Sequence, residues 1–139
     1  MKNILKLSII LFSIVVASCS KDEYIEPQVE KNIDNISGEW DLESINNDKI
    51  EGDDVFCQVT FNAIDSTFVI KENLNSSFVS TKTGYFVLES NTISGVYDNS
   101  YEQKWSYSYE IISLTANSMI WENTETGLQQ LYIKGTSKN

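Results

Sequence analysis

From residue 38 to residue 134, apolar and polar residues alternate with a period of two, interrupted at short intervals by Gly, Asn, Asp and Ser. Successive side chains of a strand point to opposite faces. Each alternating run is therefore read as a strand with one buried face. The first is 38–45, with Trp40 and Leu42 on one face and Glu39, Asp41 and Glu43 on the other. The second, 54–62, sets Val55, Cys57, Val59 and Phe61 against Phe56, Gln58 and Thr60. Further strands are expected at 67–72 around Phe68 and Ile70, at 76–81 around Phe78, at 84–89 and at 92–97. The longest, 103–114, carries Trp105, Tyr107, Tyr109 and Ile111 on one side. Segments 118–123 and 128–134 complete the series. No helix-length segment intervenes. Short strands joined by tight turns predict an all-β domain, either an antiparallel sandwich or an up-and-down barrel. The aromatic content of the inward faces favours a small antiparallel up-and-down barrel of about eight strands, filled or nearly filled by side chains.

Composition narrows the chemistry. The chain has 139 residues, ten Lys, twenty Asp plus Glu, and a net charge of −10. Neither Arg nor His occurs. Without His there is no His-based triad, general base or metal site. Without Arg there is no bidentate clamp for phosphate or carboxylate. An acidic chain lacks the basic surface that displaces counterions from nucleic acid, so no nucleic-acid partner is expected.

The N-terminus gives an address. Lys2 and Lys6 precede the stretch 7–17, which is apolar apart from Ser8 and Ser13. It is too short for a spanning helix, which needs about 20 residues, and fits the core of a secretory signal. Val16-Ala17-Ser18-Cys19 resembles the lipobox of bacterial lipoproteins, in which Cys becomes the lipidated N-terminus. Lys21-Asp22-Glu23 resembles the export signal of Bacteroidota surface lipoproteins. These resemblances imply a signal peptide at 1–18, lipid on Cys19, and an outer-membrane anchor with the domain facing the cell exterior. Residues 19–35, with the single Pro27, read as the lipidated Cys and a flexible tether. The domain is expected at 36–135, followed by a short tail at 136–139. With Cys19 lipidated, Cys57 stands alone and no intrachain disulfide forms.

Gly38-Glu39-Trp40, at the start of the first strand, matches the Gly-x-Trp signature of lipocalin barrels. The wider layout resembles the short lipocalin-like domains of Bacteroidota lipoproteins: Gly84-Tyr85 opens a middle strand, Asn91-Thr92-Ile93 follows a turn, and 114–121 lies near the end. The resemblance implies that Trp40 closes the barrel floor. Lipocalins usually place an Arg over that Trp; here Lys134 is the late residue available for the stacking role.

Candidate chemistry is sparse. Cys57 shares its parity with Val59 and Phe61 and reads as a small core residue rather than a nucleophile. The acidic loop Glu51-Gly52-Asp53-Asp54 lacks EF-hand spacing and reads as a solvated turn. No catalytic residue, metal or cofactor is assigned, and no enzyme is expected. Candidate barrel-lining residues are Trp40, Val59, Phe61, Phe78, Trp105, Tyr107, Tyr109 and Trp121. Buried Tyr hydroxyls need partners, which suggests a polar or wet cavity. Two functions stand open: a monomeric binding protein holding a small apolar or amphipathic ligand in the barrel, or a packed barrel contacting a protein or glycan through its surface. Surface display has a direct check. Protease added to whole cells should degrade the domain, and survival of the intact domain would count against the export reading of Lys21-Asp22-Glu23.

Overall fold

A computed structural model describes residues 24–135. The signal, Cys19 and Lys21-Asp22-Glu23 lie outside the described residues. The strands are β1 (Gly38–Ile45), β2 (Asp48–Lys49), β3 (Cys57–Asn62), β4 (Thr67–Glu72), β5 (Ser80–Glu89), β6 (Thr92–Tyr97), β7 (Tyr109–Leu114), β8 (Ser118–Asn123) and β9 (Gln129–Lys134). Each barrel strand pairs antiparallel with the next, and β9 returns to β1 through pairs such as Trp40↔Lys134 and Leu42↔Tyr132. Eight strands thus close an up-and-down barrel, with β2 a short extension on β1. Closure gives each of the eight barrel strands a partner on both sides.

Packing fills the lower barrel. Ile36, Trp40, Phe61, Phe68, Ile93, Ile111, Leu114 and Met119 are all buried. Phe61 meets Phe86 edge-to-face at 4.9 Å, a preferred aromatic geometry. Trp40 is fully buried, and its indole N–H donates to the Ile36 carbonyl at 2.8 Å. Lys134 lies over the ring, its ammonium 4.3 Å from the centroid, and donates to the Ser37 carbonyl at 2.6 Å. Gly38 has φ of 116°, and a Cβ there would lie 2.8 Å from the Lys134 nitrogen. A side chain at this position would strain the backbone and push the cation off Trp40.

The residues before β1 cover this closed end. Glu26 accepts from Thr115 Oγ1 at 2.5 Å and also from the Asn117 amide. Gln28 bonds Ser113 and the Leu114 backbone, and the Val29 N–H donates to the Leu114 carbonyl at 2.8 Å. A single helical turn, α1 (Ile33–Ile36), follows, capped by Asn32. The stretch expected as flexible tether is therefore hydrogen-bonded to the β7–β8 end from Glu26 onward.

The expected strands differ from the structure in three places. The run 54–62 becomes a strand only at Cys57; Val55 turns back to bond Gly52, and Val55 and Phe56 are part-exposed. The runs 76–81 and 84–89 become one strand, β5, that starts at Ser80. The polar pair Lys82-Thr83, left between the two expected strands, continues the ladder with β4. The run 103–114 breaks in two. Gln103 and Trp105 bond β6 through Tyr97 and Gly95, and β7 begins only at Tyr109. Direct β6–β7 pairing is confined to Thr92↔Glu110 and Ile93↔Tyr109, because the earlier segment occupies the rest of β6.

Trp40→Ala removes the buried ring, its hydrogen bond and the surface under Lys134. A loss of about 3–5 kcal/mol is expected, as for other buried Trp truncations. Urea unfolding would measure it, and a loss below about 1 kcal/mol would show that the floor does not hold the barrel.

Candidate functional site

At the end opposite Trp40 the barrel opens into a cavity of about 310 Å³. Its walls follow from strand parity. Val59 and Ile70 point inward from β3 and β4, and Leu74 continues the apolar side beyond β4. Trp105, Tyr107, Tyr109 and Trp121 make an aromatic side. Tyr109 stacks on Trp121 with centroids 4.7 Å apart and planes at 21°. Trp105 stands edge-to-face on Phe68 at 4.9 Å, so it forms the step between packed core and open mouth. Its seat depends on Gly95, where a Cβ would lie 2.3 Å from the indole.

The other side is polar. Glu72 and Lys82 pair at 2.9 Å across β4 and β5. The bond to Glu72 raises the Lys82 pKa, so the ammonium keeps its charge at neutral pH. The Trp121 N–H donates to Gln130 at 2.6 Å. The buried Trp105 N–H has no partner among the described residues. Burial raises the pKa of Tyr97 and of Tyr109, and keeps their hydroxyls protonated. Deeper in, Tyr132 and Cys57 are both buried, and burial raises the pKa of the Tyr132 hydroxyl. Burial, reinforced by the Glu72 charge, pushes the thiol up to about 12. It is therefore a neutral, unreactive thiol.

The structure divides the candidate lining residues. Val59, Trp105, Tyr107, Tyr109 and Trp121 gather around the mouth, although Tyr107 is 40% exposed. Trp40 and Phe61 belong to the packed core beneath it. Phe78 is a correction: it is 82% exposed, because 73–79 is a loop and not the start of a strand. Cys57, assigned to the core by parity, is buried and also borders the cavity. Sequence reading missed Ile70, Glu72, Lys82, Gln130 and Tyr132 as cavity residues. Parity could have found them, since each alternates in step with an inward neighbour: Phe68, Ile70 and Glu72 on β4, for example.

The sequence matches no family model and no curated protein. Solved structures are similar in shape. A lipocalin-like protein from Bacteroides uniformis superposes with a TM-score of 0.55 at 16% identity, covering 73% of this chain and 99% of that one. The fold is lipocalin-like. A second Bacteroides uniformis protein, solved by NMR, gives 0.55 at 22% identity, covering 76% of this chain and 94% of its own. An uncharacterized protein from Bacteroides eggerthii gives 0.51 at 15% identity, covering 72% and 99%. The lipocalin-like barrel expected from Gly38-Glu39-Trp40 is thereby borne out as a fold.

Cys57 offers a test of this interior. In a Cys19→Ser background, a disulfide-exchange reagent at pH 8 should leave the folded protein unmodified and label it after unfolding in urea. The raised thiol pKa also sets a pH dependence. The unfolded thiol ionises near its ordinary value of 9.0, while the folded one holds its proton to about 12. Its contribution is fully present below pH 9.0 and is lost between there and about 12. The loss runs at about 1.4 kcal/mol per pH unit. Cys57→Ala should lower the measured slope by that amount, the buried tyrosines contributing the remainder; an unchanged slope would place the thiol in water.

Proposed function

We propose that this protein binds a small amphipathic ligand in the open mouth of its barrel, without turning it over. The supporting observation is the cavity itself: stacked aromatics on one side, a Glu72–Lys82 pair and Tyr97 on the other, and one open end. About 310 Å³ is at the lower end of small-molecule sites, so the ligand is a compact ring system rather than a long chain.

The proposal includes lipid on Cys19 and display at the cell surface, supported by Val16-Ala17-Ser18-Cys19 and Lys21-Asp22-Glu23. Geometry suits such an anchor. The bonds of Glu26 and Gln28 fix the chain at the closed end, and five peptide steps separate Cys19 from Tyr24. Five residues span at most about 18 Å. An anchor at Cys19 would hold the floor nearest the membrane and let the mouth exchange ligand with the aqueous side.

Trp105 and Trp121 make the test optical. N-phenyl-1-naphthylamine, a neutral apolar probe, titrated into the purified chain should quench Trp emission saturably at one probe per chain. Leu74→Trp, which fills the mouth, should abolish this signal, and Phe78→Ala, outside the cavity, should leave it unchanged. A folded protein that shows no saturable quenching would overturn the proposal.

A further inference from the structure

A second depression adjoins the mouth. It is a groove of about 410 Å³ where β5 and β6 meet the loop 98–106. Lys82, Tyr97 and Ser106 border both it and the cavity, so they form the shared rim. The chemistry changes across that rim. Inside stand Trp105, Tyr109 and Trp121. Outside stand Thr81, Thr83, Asp98, Asn99 and Gln103. Apart from the Tyr97 ring, no aromatic or aliphatic side chain lines the groove among the described residues.

The groove is held in shape by its own bonds. The Thr83 hydroxyl donates to both Asp98 oxygens, at 2.7 and 2.8 Å. Asn99 Oδ1 accepts the backbone N–H groups of Tyr101 and Gln103 at 3.2 Å each. The Gln103 carboxamide has no hydrogen-bond partner among the described residues, and the amide nitrogen of Asn99 and spare Asp98 lone pairs also face no protein donor or acceptor. Carboxylate, carboxamide and hydroxyl groups together both donate and accept. Vicinal hydroxyls of a sugar require that mixture, since each hydroxyl also does both. An acyl tail would meet polar groups on leaving the cavity, and their desolvation opposes it. A simple anion would face Asp98 and Glu72 in an acidic protein.

With the mouth cavity as the binding site, we propose that cavity and groove form one site for an aromatic glycoside. The flat apolar ring enters among Trp105, Tyr109 and Trp121. The sugar crosses the rim at Tyr97 and lies against Asp98, Asn99 and Gln103. This inference extends the binding proposed above and rests on it.

The two are separated by comparing three probes on the purified chain: 4-methylumbelliferone, methyl β-glucoside, and the 4-methylumbelliferyl hexosides of glucose, galactose and mannose. At least one hexoside should bind tenfold or more tighter than 4-methylumbelliferone, and methyl glucoside should bind far more weakly than either. Gln103→Ala and Asp98→Asn should each reduce that gain several-fold and leave 4-methylumbelliferone affinity unchanged. Unchanged urea midpoints would show that both variants are folded. If 4-methylumbelliferone binds and no hexoside gains, the glycoside inference is overturned while binding in the mouth stands. A gain that survives both substitutions also overturns it, because the sugar then lies elsewhere. Methyl glucoside binding as tightly as the aryl hexosides would remove the ring from the site. If no probe binds, the mouth reading and the glycoside inference fall together.

Discussion

The bond from the Trp40 indole to the Ile36 carbonyl, under the Lys134 ammonium, is the constraint from which the rest of the structure follows. Together with the Lys134 contacts it ties α1 and the start of β1, neighbours in sequence, to the distant end of β9. A closed barrel needs its last strand to return to its first in a fixed register, since a slip of one residue would turn every side chain of a strand to the wrong face. Trp40↔Lys134 sets that register where β9 ends. Burying an ammonium costs desolvation, which lowers the Lys134 pKa. The Ser37 carbonyl and the indole face offset that cost together. An Arg would spread its charge over a plane; Lys serves here as a point charge beneath a glycine that leaves it room.

A sealed floor means that access can come only from the other end, and the aromatic residues decide how far in it reaches. Phe61, Phe68 and Phe86 fill the lower half at ordinary edge-to-face distances. Trp105 is the boundary. It enters the barrel because 103–105 pairs with β6, and it fits only because Gly95 lacks a side chain. The same pairing diverts the chain from β7 and places Ser106 and Tyr107 at the rim. Core packing, mouth depth and the β6–β7 irregularity thus have one cause.

Most of the barrel was legible because period-two alternation and turn chemistry agree along nearly all of it. The boundaries at 38–45, 67–72, 92–97 and 118–123 coincide with β1, β4, β6 and β8. The failures cluster at the mouth. There an inward position need not be apolar, since it faces solvent or a ligand. Lys82-Thr83 was left between two strands for that reason, and Glu72 and Lys82 went unassigned as cavity residues. Phe78 erred in the opposite direction: Phe78-Val79 between serines suggested a strand, but Phe78 is exposed on a loop. At 103–114 uninterrupted alternation hid a bend, because backbone pairing with β6 competes locally with pairing to β7 and leaves no mark on the side-chain pattern. The bonds of Glu26 and Gln28 were equally hidden, since polar side chains that anchor a segment look in sequence like those of a solvated tether.

These errors and the candidate site share an origin. Hydrophobic patterning encodes burial, and it fails where a wall must do something other than exclude water. The polar residues of the mouth are not core substitutions tolerated by chance. Glu72 and Lys82 occupy inward positions on adjacent strands and neutralise one another at 2.9 Å, which removes the largest cost of charge at a partly enclosed site. Lys82 also borders the groove outside, so the pair stands where an apolar interior ends and a hydroxyl- and amide-lined surface begins. Replacing Lys82 would leave Glu72 uncompensated near the neutral Cys57 thiol and the buried Tyr132 hydroxyl, whose pKa values burial first, and its charge in addition, already raise. The ion pair therefore keeps the inner mouth electrically neutral, and a neutral aromatic ring can enter there without meeting an unpaired charge.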